Sequence, residues 1–244
     1  MQRTAPRLTR ILACAAVPVM LVVAGCSSDS DGGSGAAGSK DKGSSSASAT
    51  PSPSQTTKTV EPAKFAKLPE ACKAVVAKTT ASLVPKAKTK NGTPAVSSDL
   101  GSRSGCSWNG LDDKGVKGSQ YRWLDVSFYR YESDAALGSG QERAQENLAK
   151  ELAKIEQTPG AKKLRTSAAT GIGDEAKSVA YGLRKTDEDF VYGSIVARTG
   201  NVLVLLSYNG AGYAGAPTPS DKTVMSGAVK AAKEAVAAVA AANK

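Results

Sequence analysis

Tyr121-Arg122-Trp123-Leu124-Asp125-Val126-Ser127-Phe128-Tyr129-Arg130-Tyr131 is the stretch on which the fold turns. Leu124, Val126 and Phe128 fall on one side of an extended chain. Trp123, Asp125, Ser127 and Tyr129 fall on the other. Alternation with period two is the mark of a strand whose two faces meet different surroundings. Working outward toward the C-terminus, Ser139 with Glu142 three residues later spells a capping box. Ala144, Leu148, Leu152 and Ile155 then follow at helical spacing until Thr158-Pro159-Gly160 ends the helix. Ser178 to Arg184 and Val191 to Arg198 alternate again, with Thr199-Gly200 as the turn beyond them. Val202 to Leu206 is apolar without a break, as in a central strand covered on both faces. Val224, Ala228, Ala232, Val236 and Val239 form the apolar stripe of a terminal helix.

Toward the N-terminus, a turn spans Asp112 to Gly118, and Cys106-Ser107-Trp108 opens the preceding strand. Leu68-Pro69-Glu70 begins a helix, with proline in the first turn where its missing N–H costs nothing. Cys72, Val75, Val76, Thr79 and Leu83 make its apolar stripe and Pro85 stops it. Asn91-Gly92 and Thr93-Pro94 mark the connecting loop. The order helix, strands, helix, strands, helix predicts an α+β domain over 61–244. Its sheet is expected to be mostly antiparallel and packed against about three helices.

The residues before that domain read differently. Residues 1–10 carry Arg3, Arg7 and Arg10 and no acid, and Ile11 to Ala24 is an apolar run interrupted by Pro18. The run is too short for a permanent transmembrane helix and has the layout of a secretory signal, residues 1–25. It ends in Val23-Ala24-Gly25-Cys26, which resembles the lipobox of bacterial lipoproteins. The small pair Ala24-Gly25 suits a peptidase cleft, and the resemblance implies that the Cys26 thiol receives diacylglycerol. Two acyl chains suffice for stable anchoring where one binds marginally. Residues 26–60 are rich in Ser, Gly, Ala, Thr and Pro without apolar periodicity, so they read as a disordered tether. Thr50-Pro51-Ser52-Pro53-Ser54 within it is a composition that accepts O-linked sugar. The expected location is the outer face of the cytoplasmic membrane.

Of the net charge of +10, three units leave with the leader arginines. The rest is scattered as single lysines, without the clustered basic stripe and interleaved aromatics of a nucleic-acid binder. The chain has no histidine, which excludes Ser-His-Asp and Cys-His nucleophilic sites and histidine metal sites. No cofactor motif and no metal-ligand spacing are present, and the reading is non-enzymatic. Carboxylate chemistry stays formally open. Of the four cysteines, Cys14 lies in the leader and Cys26 is the acylation site, leaving Cys72 and Cys106. An even pair in an exported domain reads as a disulfide. A redox or metal thiol pair is the alternative, without Cys-x-x-Cys spacing to favour it.

The lipobox, the tether, Leu68-Pro69-x-x-Cys72, Cys106-Ser107-Trp108, Gly171-Ile172-Gly173-Asp174-Glu175-Ala176 and Arg198-Thr199-Gly200-Asn201 form a set. Together, over roughly residues 65–241, they resemble a large family of actinobacterial secreted lipoproteins whose domain has no assigned function. The layout is also similar to the disulfide-bonded extracellular sensor domains of some actinobacterial receptor kinases. The resemblance implies an α+β domain outside the membrane with no established enzyme activity. Some sensor domains of that layout carry a second disulfide, for which this chain has no cysteines left.

Three internal segments are candidate sites. Trp123, Asp125, Tyr129 and Tyr131 would line a ligand groove or glycan platform, or else form a second core layer under a helix. Gly171, Gly173, Asp174 and Glu175 would make a binding loop for a cation or sugar hydroxyl, or a plain structural turn. Asp187-Glu188-Asp189 is an acidic tip without calcium-ligand spacing and reads as a solvated loop. Three functions remain. The first is a tethered module binding wall polymer, a small apolar ligand or an envelope protein. The second is a hydrolase of envelope polymer using paired carboxylates, and the third a structural accessory of an envelope complex.

Overall fold

The computed structural model describes residues 59–244. The leader, Cys26 and the tether up to residue 58 lie outside the described residues. The alternating stretch is a strand, β3 (Ser119–Arg130), paired in antiparallel register with β2 (Arg103–Asp113). A short pair, β1 (Thr93–Pro94), edges β2 next to Cys106 and Ser107. The second half of the sheet is a meander of β4 (Lys162–Ala168), β5 (Glu175–Lys185), β6 (Glu188–Thr199) and β7 (Val202–Tyr213). β7 docks beside β3 and closes one seven-stranded sheet of order β1-β2-β3-β7-β6-β5-β4, antiparallel throughout. The apolar run Val202 to Leu206 thus lies in the middle strand, as its composition requires.

One face carries the main core. Leu124, Val126 and Phe128 of β3 meet Val204, Leu206 and Tyr208 of β7, and Ile195 and Ala197 of β6. Each fully buried side chain of that size contributes about 1.5–3 kcal/mol relative to exposure. The terminal helix α4 (Asp221–Ala241) covers this face with Val224, Ala228, Ala231, Ala232, Ala235 and Val239. Its small residues let it lie close to the sheet. Gly193 of β6 sits directly beneath it, where an added Cβ would stand 3.2 Å from the Met225 backbone and the Val224 side chain. Helix α3 (Gly140–Glu156) covers part of the opposite face, where Leu148 packs on Val196 and Leu203. It starts with the expected capping box: Ser139 Oγ accepts from the Glu142 amide, and Glu142 Oε2 accepts from the Ser139 amide at 2.8 Å.

The segment after Leu68 departs from expectation. In place of one helix there are two, α1 (Ala71–Ala74) and α2 (Ala77–Leu83), separated by Val75 and Val76 in extended conformation. Val76, expected on the apolar stripe, is 55% exposed. The break comes from a distant partner. Glu234 of α4 accepts from the Val76 amide at 2.9 Å and from Thr79 Oγ1 at 2.7 Å, capping α2 from across the fold. Two β-branched residues lose little by leaving the helix. Cys72 and Cys106 form a disulfide with a Cα–Cα distance of 5.1 Å, joining α1 to β2. The chain enters the domain along a strap held by two asparagines. Buried Asn201 accepts from the Phe65 amide and donates to the Phe65 and Tyr131 carbonyls, and Asn243 bonds the backbone of Ala66 and Lys67. No helix of the described residues is long and apolar enough to cross a membrane.

Candidate functional site

Helix α3 spans only part of its face and leaves a stretch of the sheet without a helix over it, where Trp123 is exposed while Tyr181, Ser194 and Asn209 are buried. Strand register assembles what lies there. Asn109, Trp123, Asn209, Tyr192 and Tyr181 form one row across β2, β3, β7, β6 and β5. Ser107, Asp125, Ser207 and Ser194 form the next. Gly105, Ser127, Leu205 and Val196 follow, and there the cover of α3 begins. The open rows therefore hold amides, hydroxyls, one carboxylate and aromatic rings.

The rings are ordered. Tyr181 and Tyr192 stack with centroids 4.8 Å apart and planes 3° from parallel. Phe190 meets Tyr192, Tyr121 and Tyr213 at 6.0–6.4 Å, and Tyr121 meets Tyr213 at 6.5 Å. Lys185 Nζ lies 5.4 Å from the centre of the Tyr192 ring. Trp123 differs: among the described residues no ring, cation or hydrogen-bond partner engages it, and it is 36% exposed. Counting Trp123, this end of one sheet face gathers half of the chain's Trp, Tyr and Phe residues. Burial pushes the Tyr121, Tyr181 and Tyr213 phenols up from their ordinary value, with the neighbouring Tyr192 adding to it.

The polar groups beside Trp123 are under-used by the fold. Asn209 is 7% exposed, yet its side-chain amide has no hydrogen-bond partner among the described residues. Burial pushes the Asp125 carboxyl up, opposed only by the Ser127 hydroxyl, which donates to it at 3.5 Å. A half-buried carboxylate with one long hydrogen bond carries a desolvation cost, and the Asn209 amide beside it has none of its bonding capacity used by the fold. A polar ligand bound against them would offset it.

The structure brings Trp123 and Asp125 together and sets Tyr129 and Tyr131 apart from them. Tyr129 and Tyr131 pack against the Leu148 cluster beneath α3, with Arg103 and Arg143 over their rings at 5.8 and 5.9 Å. Burial pushes the Tyr131 phenol up, with Glu151 and Tyr129 adding to the shift. Asn209, Ser207, Tyr192 and Tyr181 were missed in the sequence. The available signal was the change in β7 from unbroken apolar residues to Ser207 and Asn209 at alternate positions. Nothing local tells which strand will stand beside Trp123.

The acids of the Gly171–Glu175 segment are held by partners at the surface of the fold. Asp174 Oδ2 accepts from the Gly200 amide at 2.6 Å and from Arg198 Nη1 at 3.2 Å. Glu175 accepts from Gln145 Nε2 at 2.7 Å, and Gln145 Oε1 accepts from Arg198 Nε at 2.8 Å. Ile172 is buried in the main core. Gly173 has φ +62°, and a Cβ there would stand 2.3 Å from the Arg198 carbonyl oxygen. Both acids thus tie the loop to the β6 end and to α3.

Three surface grooves lie elsewhere than at Trp123. One, of about 820 Å³, runs between residues 59–61, the loop 135–139 and the start of α3, with Arg198 at its edge. A second, of about 280 Å³, lies between residues 95–98 and the Arg103, Ser127 and Tyr129 end of the sheet. A third, of about 320 Å³, follows the loop at 168–177. Ser127 lines the second groove and also bonds Asp125, so that groove borders the open rows. Among the described residues no three His, Cys, Asp or Glu side chains are grouped to hold a metal ion.

No family model matches this sequence, and no curated protein matches it either. A structural match is LpqN of Mycobacterium tuberculosis, a protein involved in cell envelope biogenesis. The match is 14% identical, covers 58% of this chain and 87% of that one, and has a TM-score of 0.33. Two chains at that similarity need share neither topology nor role.

Proposed function

We propose that this protein is a lipid-anchored, extracytoplasmic binding module that holds material of the cell envelope against the open side of its sheet. The leader, the lipobox-like Val23-Ala24-Gly25-Cys26 and the tether composition support the location. The observation that carries the binding reading is the pairing of exposed, unpartnered Trp123 with the unpartnered amide of Asn209. A ring about a third exposed beside an amide that the fold leaves unbonded offers a stacking surface and hydrogen-bonding capacity to a ligand, and binding is what makes such an arrangement useful. A shallow face of this kind suits a polymer or a broad partner better than a small apolar ligand, which needs an enclosing pocket. The rows around Asp125 offer one carboxylate among serines and asparagines. Paired-carboxylate hydrolysis would need a second facing it.

Co-sedimentation of the mature chain with isolated envelope material tests the reading. Wild-type protein should sediment, Trp123→Ala should stay in solution with an unchanged melting temperature, and Leu137→Ala, in the 820 Å³ groove, should sediment as wild type. Release by Leu137→Ala and not by Trp123→Ala would move the binding face to that groove. Mass spectrometry of the processed N-terminus should find diacylglycerol on Cys26.

A further inference from the structure

The open rows say more about the occupant than that it is large. Trp123 presents a flat ring with no partner on it, and the negative π-face of an indole attracts the weakly positive C–H groups on the flat side of a pyranose ring. Next to it on β7 is the Asn209 amide, which offers two donors and an acceptor and uses none on the fold. One row on are Asp125, Ser107 and Ser207, and one row further Ser127 at the mouth of the 280 Å³ groove. From Trp123 to Ser127 the strand runs roughly 13 Å, so the ring, the polar rows and the groove follow one line.

Charge narrows the chemistry. The one ionisable group in the middle of these rows is the Asp125 carboxylate. It repels phosphate and carboxylate groups placed against it and accepts hydrogen bonds from hydroxyls. The Asp125 rows therefore disfavour anionic groups placed against them, while the cation Arg103 lines the groove beyond Ser127. The stacked Tyr181–Tyr192 pair and the Phe190 cluster stiffen the far side, so little side-chain ordering is left to oppose binding.

From this juxtaposition we infer that the strip Trp123–Asn209–Asp125–Ser127 is a subsite for a neutral polyhydroxylated glycan chain, with a sugar stacked on Trp123 and its hydroxyls bonded to Asn209 and Asp125. The inference rests on the binding reading above and adds the class of ligand. Asn209 is the specificity element, because its side-chain amide makes no bond within the fold and can pair with a sugar hydroxyl beside the Trp123 ring.

Titration of the intact mature chain with soluble neutral oligosaccharides (β-glucan, mannan and arabinogalactan fragments) tests it, with polyglycerol phosphate and polyglutamate as anionic comparators. At least one neutral glycan should bind and quench or shift the tryptophan emission. Its affinity should fall tenfold or more in Trp123→Ala and in Asn209→Ala, and the anionic polymers should not compete. Trp123 is exposed, so its variant keeps the fold if removing Asn209 disturbs it. Failure of every neutral glycan to bind, or binding that survives both substitutions, would overturn the inference. If Trp123→Ala still releases the protein from envelope material in that case, the binding module stands and its ligand is not a neutral glycan. Competition by polyglycerol phosphate alone would point to an anionic polymer and likewise reject it.

Discussion

Reducing the Cys72–Cys106 bridge should cost this domain close to a third or more of an ordinary domain's stability. The bridge closes a loop between positions 34 apart in sequence. In the chain-entropy description, restraining a loop of that length in the unfolded chain is worth about 4 kcal/mol at 25 °C. Typical domains have 5–15 kcal/mol in total. Cys106 is buried in the main core and Cys72 packs at its margin, so reduction leaves the sulfur atoms in place and the native packing nearly unchanged. The loss should therefore come from the unfolded side. Guanidinium melts of the mature chain, oxidised and after reduction with thiols counted, give the difference directly. The expected result is a loss of about 4 kcal/mol with a larger m-value, because the uncrosslinked chain exposes more surface. In a thermal melt the same loss corresponds to roughly 8–15 °C for a domain of this size. A loss below about 1 kcal/mol with two free thiols confirmed would refute the reasoning. It would mean that the loop from α1 to β2 is already restrained without the bond.

Two further predictions concern side chains whose cost or benefit can be signed. Burial raises the Asp125 carboxyl, so the folded protein keeps that proton to higher pH than the unfolded chain does, and stability falls as pH rises from about 4 through the raised value. Asp125→Asn should therefore melt higher than wild type at pH 7, with the gap closing toward pH 4; a lower melting temperature at pH 7 would contradict the burial argument. Asn201→Ala removes one acceptor and two donors that hold the Phe65 backbone and the Tyr131 carbonyl at a site closed to water. Leaving those groups unsatisfied should cost about 3 kcal/mol in a denaturant melt and open the strap at 59–69 to protease; a loss under about 1 kcal/mol would show that water replaces the amide.

Much of the architecture was readable because it rests on local period and local chemistry. The alternation around Leu124-Asp125-Val126 produced β3, and Ser139 with Glu142 produced the start of α3. The apolar block Val202 to Leu206 marked the middle strand before any pairing was known. Edge strand β4 was not anticipated, since Lys162 to Ala168 is almost wholly exposed and shows no burial pattern to read. Helical spacing through Val75 and Val76 predicts a single first helix, because it carries no trace of Glu234 more than 150 residues away.

The candidate site divides in the same way. Trp123 and Asp125 share a face because neighbours two apart on a strand must, and that is settled within five residues of chain. Tyr129 and Tyr131 lie only a few residues further on, but α3 covers them and leaves Trp123 bare, a matter of where a helix ends on the sheet. That Asn209 stands beside Trp123 follows from β7 returning past three other strands to pair with β3. Period, caps and the even pair of cysteines were properties of the sequence alone, because each depends on contacts a few residues long or on counting. The bare indole, the unpartnered amide and the break at Val76 arise from residues far apart in the chain, and only the packed sheet and helices bring those together.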